Sequence, residues 1–97
     1  MDFLKEYNLT EEDITIIKNN NYENVINVII FNKNNVCQII EYLLSIGIET
    51  TTLAQILSDR LDLFMKTKEE ISEKFDKFNV ENLVTIINDD IANLKFI

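Results

Sequence analysis

The sequence predicts an all-α fold of about six to seven short helices, stacked as irregular helical repeats in a single domain over residues 1–97. Three observations lead there. Apolar residues recur at three- and four-residue spacing, the period of a half-buried helix. The chain has no proline and one glycine, so strand turns and long loops have little support. Three stretches also read alike: Tyr7-Asn8-Leu9, Ile46-Gly47-Ile48 and Phe78-Asn79-Val80 each set a turn former between apolar residues, followed by a polar step and an apolar helical pattern. The steps between copies are 39 residues (Leu9 to Ile48) and 32 residues (Ile48 to Val80), which suggests stacked helical units over 3–47, 46–79 and 78–97.

Asp2 to Tyr7 reads as a short opening helix with Phe3 and Leu4 inward. Thr10 is placed as an N-cap, with Glu11, Glu12 and Asp13 in a first turn where the helix dipole favours negative charge. That helix carries Ile14, Ile16 and Ile17 and stops at Asn19-Asn20-Asn21, since asparagine tolerates the left-handed conformation. Tyr22 to Phe31 has aliphatic residues around most of its circumference, which predicts a largely buried helix. Asn34 or Asn35 can cap the next one. There Val36, Ile39, Ile40, Leu43 and Leu44 make the cleanest stripe in the chain, and Gly47 stands where a C′ residue needs positive φ.

The second half repeats this grammar. Thr50 to Thr52 offer caps, and Thr52 with Gln55 has capping-box spacing. Leu53, Ile56 and Leu57 form a buried face, and Leu61, Leu63 and Phe64 an apolar turn. Thr67 with Glu70 is a second capping box, opening a helix through Ile71, Phe75 and Phe78 until Asn79 breaks it. A last helix, about Glu81 to Leu94, buries Leu83, Ile86, Ile87 and Ile91.

The net charge is −8. Residues 1–50 hold eight acids against three lysines, and residues 51–97 nine acids against six bases, so the charge is spread and no acidic tail stands out. Such a surface repels phosphate backbones and favours basic partners. One cysteine cannot form an intrachain disulfide, which agrees with a reducing, cytoplasmic setting. No basic start precedes an apolar run, and no apolar stretch exceeds four residues, so neither a secretory signal nor a membrane span is expected.

The stretch from Ile46 to Asn79 (IGIETTTLAQILSDRLDLFMKTKEEISEKFDKFN) resembles the repeat of the mitochondrial transcription termination factor family. In that family a unit is a helix, a short second helix, a third helix and a Gly-containing turn. The resemblance implies that Leu53–Leu57, Arg60–Phe64 and Thr67–Phe78 play these parts. It implies a helical-repeat fold and, in relatives with a basic concave face, nucleic-acid binding. This chain carries Asp59 and Arg60 where the family ends its first helix with proline.

Catalysis has little to stand on. There is no histidine, the commonest general base and metal ligand. Cys37 reads as a small core residue. Glu11-Glu12-Asp13 is first-turn pairing with the helix dipole, and Asp89-Asp90 lacks the spacing of a calcium loop. No enzyme activity, cofactor or metal is expected. Glu69, Glu70, Glu73 and Asp76 interleave with Lys66, Lys68, Lys74 and Lys77, and Glu70–Lys74 and Glu73–Lys77 have the favourable i, i+4 order.

These residues give two readings. In the first, the chain is a non-enzymatic acidic module that binds a basic protein surface, in one version as a small inhibitor that mimics nucleic-acid charge; Glu69, Glu70, Glu73, Asp76, Asp89 and Asp90 make the contacts. In the second, it is a small termination-factor-like nucleic-acid binder using Arg60, Lys66, Lys68, Lys74 and Lys77. Five bases and five acids share residues 60–77, so the window is neutral and the second reading lacks a basic stripe. The apolar Leu94, Phe96 and Ile97 offer a surface that folds back on the core or pairs two copies.

Overall fold

Six α-helices and three 3-10 segments make up the chain in a computed structural model that describes residues 1–97. After a 3-10 opening over Asp2–Tyr7 come α1 (Glu11–Asn19), α2 (Glu23–Phe31), α3 (Lys33–Ser45) and α4 (Thr50–Asp59). A 3-10 turn, Leu61–Met65, leads to α5 (Lys68–Phe75) and α6 (Val80–Asp89), and a third 3-10 segment spans Ile91–Phe96. The fold is all-α, and 23 buried apolar residues form one core cluster. In it α1 packs on α4, and α3 packs on α4, α5 and the Leu61–Met65 turn.

The caps explain several boundaries. Thr10 forms a full capping box: its hydroxyl accepts from Asp13 N at 3.1 Å, and Asp13 Oδ2 accepts from Thr10 N at 2.9 Å. Thr67 accepts from Glu70 N at 3.1 Å and starts α5. At the end of α3 the chain closes a Schellman motif, with Gly47 N donating to Leu44 O and Ile48 N to Leu43 O. Gly47 needs its missing Cβ there, because its φ is 107° and a Cβ would stand 3.3 Å from Val84 Cγ1.

The three look-alike stretches diverge. Asn8 is left-handed at φ 68°, like Gly47, but Asn79 has φ −72° and caps α6 by accepting from Asn82 N. Asn20, expected to be left-handed, is in the αR region at φ −89°. Its amide reaches Ser58 Oγ, while the Asn21 amide bonds Ile17 O and Ser58 O, so this asparagine run ties α1 to α4.

Other boundaries move for similar reasons. Thr52 is inside α4 and buried rather than capping it; Glu49 is the N-cap, its N–H held by Asn88 Oδ1 of α6. Asn32 alone joins α2 to α3, so neither Asn34 nor Asn35 caps α3. The Asn35 side chain instead donates to Phe64 O and Lys66 O. α5 stops at Phe75, and Phe78 is half exposed. The predicted last helix breaks at Asp90, which is extended (φ −155°) and accepts from Ala92 N to start the final 3-10 segment. The Asn93 side-chain amide adds a second donor to the carbonyls of Ile86 and Asp90, which also accept from Asp90 N and Asn93 N. Leu94 and Val84 are buried, whereas Ile86 faces solvent and Ile91 is half-buried.

The largest correction concerns α2. Its apolar composition predicts burial on most sides, yet only Ile26 and Ile29 are buried, and Val28, Ile30 and Phe31 are exposed. The one-residue joint at Asn32 sets α2 against α3, its main packing partner, along a single face.

Candidate interaction surfaces

α5 stands on two residues. Ile71 and Phe75 are buried, and Phe75 meets Tyr42 of α3 and Phe96 edge-on, with ring centroids 6.0 and 5.2 Å apart. With that face fixed, helical geometry puts Glu69, Glu73 and Asp76, at i, i+4 and i+7, on one flank. Glu70 lies further round, and all four side chains are exposed. Glu69 shares a depression of about 350 Å³ with Gln38, Glu41, Tyr42, Ser45 and Lys68. Asp76 lies close enough to Tyr42 to act on its hydroxyl, whose pKa is raised by burial first and by that carboxylate second. The acidic flank of α5 therefore continues across α3 to Glu41.

Asp89 and Asp90 are exposed at the other end of α6, away from this flank. Asp89 lines a separate depression with Glu49, Thr85, Ile86 and Asn88. The six sequence-selected acids thus form two groups, each extended by an acid that sequence reasoning missed: Glu41 for the first and Glu49 for the second. No local signal marks either, because their neighbours come from helices distant in the sequence.

Seventeen acids face nine bases, but only Asp2, Glu11 and Asp62 are in ion pairs, leaving fourteen carboxylates with no cation within 4.0 Å. Neither i, i+4 pair, Glu70–Lys74 or Glu73–Lys77, closes to ion-pair distance. Lys66, Lys68, Lys74 and Lys77 also lack carboxylate partners. Lys5 pairs with Glu11 across the turn before α1, and this hydrogen bond holds the Lys5 ammonium above its ordinary pKa.

Arg60 is not free for phosphate. Its guanidinium pairs with Asp62 at 3.1 Å and donates to Leu94 O at 3.2 Å and Ile97 O at 2.7 Å. It straps the last segment onto the body, where Phe96 packs on Phe75 and Phe78. Phe96 and Ile97 remain half-buried there.

Cys37 is half-buried rather than core, beside Tyr7. Tyr7 donates to Glu41 Oε2 at 2.7 Å, and burial, then Cys37 and Glu41, push the phenol pKa up. A cleft of about 560 Å³ opens on the surface beside the α1–α4 contact, with Thr10, Asp13, Gln55 and Asp59 among its walls. No cluster of three or more acid, cysteine or histidine side chains is arranged to hold a metal, and no helix is long and apolar enough to cross a membrane. No family model, curated protein or solved structure matches the chain.

Proposed function

We propose that this protein is a non-enzymatic acidic module that binds a basic protein surface, occupying it in place of nucleic-acid phosphates and so acting as a small inhibitor. The observation that carries this is the unpaired acidic flank Glu69–Glu73–Asp76, extended to Glu41 and held on a helix whose other face is locked into the core. Carboxylates on a rigid element present a fixed charge pattern without first having to be ordered, which favours binding and speeds encounter with a cationic partner. Asp89 with Glu49 supplies a second, smaller site of the same sign. A free Cys37 is compatible with a cytoplasmic setting.

The test is affinity capture with the full chain at low and high salt, compared with a Glu69→Lys/Glu73→Lys variant. Capture of nucleic-acid-handling proteins, released by salt and lost in the variant, supports the proposal. Salt-insensitive capture, or a captured set without such proteins, contradicts it.

A second reading rests on three exposed lysines, Lys68, Lys74 and Lys77, and the half-buried Lys66, none with a carboxylate within 4.0 Å, and on the termination-factor likeness of residues 46–79. In that case the chain itself binds RNA or DNA at low salt, weakening steeply as salt rises. Absence of binding at about 50 mM salt removes it.

A further inference from the structure

We propose that the outer face of α2 is a self-association surface, in which Phe31 of each copy seats in an apolar cleft of a second copy of this chain. Phe31 is 89% exposed at the end of α2. Beside it a cleft of about 450 Å³ opens between α2 and the Leu61–Met65 turn. Val28, Ile29, Phe64 and Met65 make its apolar wall, and Asn32, Asn35, Lys66 and Thr67 its polar rim. One face therefore carries both an unseated aromatic ring and an unfilled apolar hollow. A twofold axis through such a patch makes both contacts at once, because an isologous interface pairs knob with hollow and hollow with knob.

Charge selects the occupant. From Asn24 to Ile40 the only charged residue is Lys33, and the cleft itself adds Lys66, so the face carries no carboxylate in a chain of net charge −8. Two copies meeting anywhere on the acidic surface set carboxylate against carboxylate; meeting here they do not. A basic partner finds no counter-charge on this face, and an anionic lipid surface is repelled by the rest of the molecule. The composition is that of an interface centre: aromatic, aliphatic and methionine side chains, with uncharged Asn24 and Asn27 beside them. A small stable interface buries about 500 Å² on each copy, under a tenth of the 5838 Å² surface.

Sedimentation of the full chain across micromolar to millimolar concentrations tests this. The expected result is a monomer–dimer equilibrium, lost in Phe31→Asp and in Met65→Glu. Phe31→Ser, which adds no charge, should weaken it by about tenfold or more, the scale of an aromatic hot spot. Ile86→Ser, at an apolar residue on α6 about as exposed as Met65, should leave it unchanged, and circular dichroism should show all variants folded. A chain that is monomeric at every concentration overturns the proposal. So does a dimer that survives both Phe31→Asp and Met65→Glu, or one that Ile86→Ser weakens equally.

Discussion

α5 and α2 stand on similar footings and present opposite faces. Each is short, of eight and nine residues, and each buries two apolar side chains: Ile71 and Phe75 in α5, Ile26 and Ile29 in α2. Around those anchors α5 turns glutamates and lysines to solvent, and α2 turns Val28, Ile30, Phe31 and asparagines. Equal burial therefore says little about what an element is for. The anchors hold the helix, and the solvent face carries the interaction: charge on α5, apolar shape on α2.

The comparison breaks most severely at Phe75. Phe75→Ala removes a fully buried ring and its edge contacts with Tyr42 and Phe96, and should cost about 3–5 kcal/mol. Thermal unfolding should show a drop of many degrees. Ile29→Val in α2, which removes one methylene from a similar seat, should cost only about 1 kcal/mol. A loss at Phe75 no larger than that at Ile29 would contradict a ring seated against Tyr42 and Phe96.

Arg60→Ala comes next. It removes the strap to Leu94 O and Ile97 O and with it the cover over Phe75. The expected loss is about 2 kcal/mol, read by denaturant unfolding. Arg60→Lys should recover part of it, since a single ammonium cannot reproduce the planar fork.

A smaller effect appears at alkaline pH. The raised pKa of Tyr42 means that the fold prefers its neutral phenol. The stability this contributes is fully present below the ordinary value of 10.0 and is lost as pH rises beyond it. Tyr42→Phe should be close to wild type at neutral pH and should lose stability less steeply above pH 10.0, as followed by pH-dependent melting.

Much of the scaffold was legible in the sequence. The α3 stripe, the Thr10 cap, the Thr67 cap and the Gly47 turn each rest on a spacing of a few residues, and local chemistry decides them. What escaped depends on residues far apart. Asn20 and Asn21 read as a helix stop and Asn35 as a cap, yet their amides reach groups 29 to 38 residues away. Arg60 read as a phosphate contact because its carbonyl partners lie 34 and 37 residues on. α2 read as buried because apolar composition records how much surface a helix would hide, not whether a neighbour arrives to cover it. Of the candidate acids, the common flank of Glu69, Glu73 and Asp76 follows from spacing alone. Its extension to Glu41 needed α3 and α5 to be seen together.

The smallest expected change in stability is also the most telling for function. Glu69→Gln with Glu73→Gln should leave unfolding within about 0.5 kcal/mol of wild type, since both side chains are exposed and unpaired. Affinity capture with this variant beside the wild-type chain, across a salt series, tests the central claim. The account expects the wild type to retain basic, nucleic-acid-handling partners at low salt and release them as salt rises, with the variant retaining much less at every step. Equal retention by the two chains, or retention that ignores salt, would contradict it.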